Sequence, residues 1–68
     1  MNVLKERLKE LREEKGLAQP QVADALNISR STYANWEQGR REPDINSLIM
    51  LTKYFDVTAG QLIGTEDL

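Results

Sequence analysis

Every apolar pattern in this chain longer than a few residues repeats at helical spacing, and no segment alternates as a half-buried strand would. Leu4, Leu8 and Leu11 form one stripe, Val22, Ala23 and Leu26 a second, and a third begins near Ile45. An all-α fold is therefore expected. At 68 residues the chain makes one domain, and a chain this short buries only about 60% of the surface that it exposes when unfolded. The core must be lean. No repeat, low-complexity tract or linker marks a boundary, so residues 1–68 are read as one compact unit with 64–68 as a loose tail.

Capping and stop signals divide the chain into five helices. The first runs from about Asn2, its N-cap, to Lys15, with Gly16 as the stop. Its outer face mixes Lys5, Arg7, Lys9 and Lys15 with Glu6, Glu10, Glu13 and Glu14, the pattern of a solvated helix surface and not of a carboxylate active site. The second spans Gln19 to Leu26, with Pro20 tolerated in a first turn whose amides have no helical partner. Asn27 ends it by entering the left-handed region. Ser29 caps a third helix, Arg30 to Gln38, which Gly39 closes. Asp44 caps the fourth, where Ile45, Leu48, Thr52 and Phe55 are the expected buried positions, flanked by Ile49 and Leu51. Thr58 caps a short fifth helix carrying Leu62 and Ile63.

Composition removes most chemistry. The chain has no Cys and no His, which excludes disulfides, thiolates, imidazole bases and the usual transition-metal ligands. Four scattered glycines form no phosphate loop. No enzyme, cofactor, metal or small-molecule ligand is expected, and no apolar run is long enough for a membrane span or a signal peptide. A cytoplasmic protein follows.

Two short helices joined by a turn of three or four residues are a recurring DNA-reading unit: the first braces across the backbone while the second enters the major groove. Residues 19 to 38 meet its demands. Ala23 is small where the helices cross, Asn27 supplies the turn, and Val22, Leu26, Ile28, Tyr33 and Trp36 can fix the angle. The stretches LKELREEKGLAQPQVADAL, NISRSTYANWEQGRREP and FDVTAGQLIG together resemble the lambda-repressor and Cro-like (Xre) helix-turn-helix family over nearly the whole chain. That resemblance implies a compact five-helix bundle whose second and third helices form the motif. It also implies a transcription regulator, most often a repressor, that binds a palindromic operator as a homodimer and sits at the nucleoid when bound.

Position on the recognition helix selects Arg30, Ser31, Ala34 and Asn35, with Thr32 at the margin, for base contact. Arg suits guanine, Asn suits adenine, and the Ala34 methyl suits a thymine methyl. Gln19 at the start of the second helix, Asn27 in the turn, and Arg40 and Arg41 beyond the third are the expected phosphate contacts. The formal charge of -2 opposes a nucleic-acid role, but phosphate feels the field of one face, and residues 27 to 41 hold three Arg against Glu37 alone. The resemblance pairs Glu37 with Arg12 in a structural ion pair turned away from DNA.

Departures from the family pattern are Ala18 in place of a Ser or Thr cap, Asn27 in place of Gly, acidic Glu42 and Asp44 in a loop that is often basic, and apolar Met50 and Tyr54 on a face that is often polar. Met50, Tyr54, Ala59 and Ile63 are the expected dimer interface. Two other functions fit the same features: an antitoxin that binds DNA and a toxin partner, and a helix-turn-helix scaffold for protein contacts alone, which the pI of about 5.0 keeps open.

Overall fold

The computed structural model describes residues 3–68. Five helices follow one another: α1 (Leu4–Glu14), α2 (Gln19–Leu26), α3 (Arg30–Gln38), α4 (Ile45–Phe55) and α5 (Ala59–Ile63). There is no strand among the described residues. The radius of gyration, 10.6 Å, is close to the roughly 11 Å of a compact chain of this length. No helix among the described residues is long and apolar enough to cross a membrane.

One cluster of eleven side chains makes the core: Leu4, Leu8 and Leu11 from α1, Val22, Ala23 and Leu26 from α2, Tyr33 and Trp36 from α3, Leu51 and Phe55 from α4, and Leu62 from α5. The stripe at i, i+4 and i+7 on α1 turns one face inward, and α3 packs between that face and α2. Ala23 is fully buried, as a close helix crossing requires. Tyr33 and Trp36 meet edge to face, ring centroids 6.2 Å apart, the arrangement that ring quadrupoles favour. α5 closes the bundle against α1 and α4.

The helix ends follow local chemistry. Ser29, Asp44 and Thr58 each accept a backbone N–H three residues on, from Thr32, Ser47 and Gln61 at 3.0, 2.8 and 3.0 Å. Asn27 stands in the left-handed region at φ 58°, and so does Asp56 at φ 56°, the second a helix stop that the sequence reading passed over. The Asn2 cap lies outside the described residues. Ala18 has no side-chain acceptor, but half of a capping box survives because Gln21 Oε1 accepts the Ala18 N–H at 2.8 Å.

Two expectations are corrected. Ile45 is 73% exposed and Ile49 48%, while Leu51 and Phe55 carry the inner face of α4, with Leu48 beside them and Thr52 only half-buried. α4 reaches the core through its second half, at Leu51 and Phe55, and its first turn stands at the edge of the bundle with Ile45 facing outward. The tail is also tied down, not loose. The N–H groups of Gly64, Thr65 and Glu66 all donate to the Gly60 carbonyl, and Thr58 Oγ1 donates to Glu66 Oε1 at 2.6 Å. Arg7 on α1 donates to the carbonyls of Gln61 and Glu66. The tail lies close over Gly60: a Cβ there would come within 2.8 Å of both Thr65 Oγ1 and Glu66 Cδ, and these side chains would have to move aside.

Candidate nucleic-acid interface

α3 has two unlike faces because 3.6 residues make a turn. Tyr33 and Trp36 lie at three-residue spacing on the buried side. Ser31 and Gln38 are exposed on the opposite side, with half-buried Ala34 and Asn35 between them. Ser31, Ala34, Asn35 and Gln38 therefore form one outward ridge two turns long. Gln38 was not among the residues selected from the sequence, since it lies at the far end of the helix; its seven-residue spacing from Ser31 was the available signal.

The remaining candidates surround this ridge. Thr32 is drawn to the N-cap, its Oγ1 lying 2.6 Å from Ser29 Oγ. Arg30 is exposed, and its guanidinium donates to Asp24 Oδ2 on α2 at 3.3 Å. With both side chains about two-thirds exposed, solvent screens that pair heavily and any competing anion can replace it. Beyond α3, exposed Arg40 and Arg41 are placed by a shared acceptor: both backbone N–H groups donate to the Asn35 carbonyl, at 3.0 and 3.4 Å. Gly39 between them and the helix is left-handed at φ 76°, and a Cβ there would come within 2.9 Å of Lys5 Cδ on α1. Lys5 thus adds positive charge to this end of the ridge, a contribution visible only in the fold.

An open cleft of about 450 Å³ runs between α3 and the start of α4, lined by Thr32, Asn35, Trp36, Arg41, Glu42, Asp44 and Ser47. It opens on the same surface as Asn35 and Arg41. The Asp44 carboxyl is held below its ordinary range by the hydroxyl and amide of Ser47, so it is ionised at neutral pH. No group of acidic side chains among the described residues is arranged to hold a metal ion.

Under the ridge, Glu37 is turned inward. Arg12 on α1 grips it with two N–H groups, Nε to Oε2 at 2.7 Å and a terminal nitrogen to Oε1 at 3.0 Å. The other terminal nitrogen donates to the Leu17 carbonyl at 2.8 Å. The Glu37 and Arg12 side chains are only 3% and 13% exposed. Burial alone would push the Glu37 carboxyl up; Arg12, Tyr33 and Gln19 outweigh it and leave the group below the ordinary carboxylate value. The Arg12 guanidinium is in turn raised, first by its hydrogen bond to Glu37. The Tyr33 hydroxyl is buried nearby without a hydrogen bond of good geometry. Burial and then the negative charge of Glu37 keep it protonated far above the ordinary tyrosine range.

Gln19 lies in this network also: its Nε2 donates to Glu37 Oε1 at 3.1 Å. Asn27 is exposed in the turn. Of the four apolar residues assigned to an interface, Met50, Tyr54 and Ile63 are half-buried against the chain's own core and Ala59 is exposed. Tyr54 packs edge-on against Phe55 at 5.0 Å, with the Lys15 ammonium 5.5 Å from its ring centre.

Two helices at a fixed angle, joined by a left-handed Asn and presenting a polar ridge flanked by Arg, define a helix-turn-helix unit. The model of the family described as Helix-turn-helix matches residues 8–62. The chain belongs to this family, in its lambda-repressor and Cro-like (Xre) branch. It is 44% identical over 61 residues to the HTH-type transcriptional regulator AnsR of Bacillus subtilis, a match spanning 90% of this chain and 53% of that protein. It is 40% identical over 63 residues to the HTH-type transcriptional activator BcrR of Enterococcus faecalis, spanning 93% and 31% respectively. The crystal structure of a transcriptional regulator from Listeria innocua superposes with a TM-score of 0.84 at 35% identity, over 96% of this chain and 61% of that one. The chain therefore spans about half or less of the length of these two curated relatives.

Proposed function

We propose that this chain binds double-stranded DNA in a sequence-dependent manner and regulates transcription. The observation that carries this reading is the α3 ridge of Ser31, Ala34, Asn35 and Gln38, exposed or half-exposed on a helix whose other face is fixed in the core. Such a ridge can follow the base edges of a major groove, with Asn35 and Gln38 suited to adenine and Arg30 to guanine. Lys5, Arg40, Arg41, Gln19 and the turn at Asn27 are available to the phosphates on either side. Arg30 reaches a base by exchanging its exposed contact with Asp24.

One recognition helix reads too few base pairs to single out an operator, so two half-sites about 34 Å apart, one turn of DNA, read by a homodimer complete the proposal. Ala59, Ile63, Met50 and Tyr54 are its proposed contact surface. Because Tyr54 also packs on Phe55, a Tyr54→Arg variant tests this only if its folding is checked first. A folded variant that dimerises and binds like the wild type removes Tyr54 from the interface.

Selecting bound sites from a random DNA pool tests the whole reading. The expected result is a palindrome with purine preferences that shift in Arg30→Ala and Asn35→Ala. In parallel, affinity for random duplex should fall steeply with salt. Absent or salt-insensitive binding would overturn the proposal and leave a scaffold for protein contacts.

A further inference from the structure

The Arg12–Glu37 pair fixes how the helices meet, but Glu37 has a further partner at the edge of the interface. Oε1 of Glu37 accepts the Gln19 amide at 3.1 Å in addition to Arg12 at 3.0 Å. An ionised carboxylate only accepts, and the amide's only donor is its nitrogen, so this contact holds the Gln19 amide with Nε2 inward. Nε2 carries two hydrogens. One is committed to Glu37; the other remains at the first residue of α2, where side chain and helix end both favour an anion.

Neighbouring groups make that second N–H more important. Pro20 has no amide hydrogen. The N–H groups of Gln21 and Val22 both donate to the Ala18 carbonyl, and the Gln21 side-chain oxygen is bound to the Ala18 N–H. Of the side-chain amides at this end of α2, Gln19 is the one whose nitrogen is anchored to the buried ion pair, since Gln21 is tied only through its oxygen to the Ala18 N–H. Its aim is set by a chain of contacts running from the Leu17 carbonyl through Arg12 to Glu37.

We propose that Glu37 is a positioning residue for DNA-backbone binding: by accepting one N–H of Gln19, it directs the other toward a phosphate and keeps the repelling amide oxygen away from it. This rests on the reading that the chain binds DNA with α2 braced on the backbone. A carboxylate next to DNA therefore aids binding without touching DNA, because Arg12 neutralises its charge.

A double-mutant cycle separates positioning from support. The probe is a random-sequence duplex of about 30 base pairs at low salt, since phosphate contacts are independent of sequence. Binding is compared for wild type, Gln19→Ala, Glu37→Met, which keeps the side chain's length but offers no oxygen acceptor, and the double variant, at a temperature where melting curves show each one folded. Gln19→Ala should weaken wild-type binding about ten-fold, the size expected for a hydrogen bond to a charged group, and Glu37→Met background binding by less than about two-fold. Equal losses in both backgrounds would overturn the positioning role and leave the DNA reading intact. No loss in either background would overturn the phosphate role of Gln19 itself. If Glu37→Met does not fold, the wild type supplies the answer by NMR. On titration with the same duplex, one Gln19 side-chain N–H proton should shift while the proton bonded to Glu37 holds its position. Equal movement of both protons overturns the proposal.

Discussion

The inner and outer faces of α3 use the same nine residues for opposite purposes. Inside, Tyr33 and Trp36 are buried and Glu37 is held by Arg12 and Gln19; outside, Ser31 and Gln38 are exposed and have little to do with stability. A change on the inner face must disturb packing or leave a charge unpaired. A change on the outer face alters only what the helix presents. Stability and specificity are thus separable within a single helix, and variants on the two faces show whether that separation holds.

The largest effect is expected at Trp36. Removing its ring to Ala should cost about 3–5 kcal/mol, against a total stability of roughly 3–10 kcal/mol for a chain of this length. Circular dichroism should show a largely unfolded protein at 37 °C, and DNA binding should be lost with the fold. A Trp36→Ala variant with native melting behaviour would break the division between the faces.

Next comes Glu37→Ala, which strands the Arg12 guanidinium in a largely dry site and should cost roughly 2–4 kcal/mol. It also predicts a pH dependence. The Glu37 pKa is lower in the folded protein than its ordinary 4.5, so folding favours the ionised form. The stabilisation is complete above that ordinary value and is lost as pH falls through the folded pKa. The difference in Tm between wild type and Glu37→Ala should accordingly be largest near neutral pH and shrink as the pH drops below about 4. A gap that widens in acid would contradict the ion pair.

On the outer face, Asn35→Ala should leave Tm within about 0.5 kcal/mol equivalent of wild type yet reduce preference for the selected site over random duplex by about 5- to 150-fold, the loss of roughly 1–3 kcal/mol of discrimination. Asn27 gives the smallest effect. At φ 58°, Asn27→Ala should cost about 1 kcal/mol and Asn27→Gly should be neutral or slightly stabilising, both readable as shifts in thermal melting.

The elements were legible in the sequence because caps, stops and the 3.6 period are local. Ser29, Asp44 and Thr58 cap, and Asn27 turns, by chemistry that each residue carries with it. α4 shows where this fails: Ile45, Leu48, Thr52 and Phe55 make a plausible stripe, but several overlapping stripes fit an apolar helix, and only its neighbours select Leu51 and Phe55. The tail escaped for a similar reason. Thr58, Gly60, Glu66 and Arg7 are unremarkable apart and meet only when α5 lies against α1. In the candidate interface, Arg30, Ser31, Ala34 and Asn35 could be placed from position along α3, and Gln38 carried a signal in its seven-residue spacing from Ser31, whereas Lys5 could not be singled out before α1 had packed on α3.

By itself, then, the sequence determined five helices, their caps and turns, the family, and the residue types available to DNA, because these depend on interactions a few residues apart. Only the tertiary structure decided which side of α4 is buried, that residues 64 to 67 fold back on α5, and that Gln19 joins the Arg12–Glu37 pair. Those outcomes depend on contacts between distant segments, and such contacts exist only once the helices have packed.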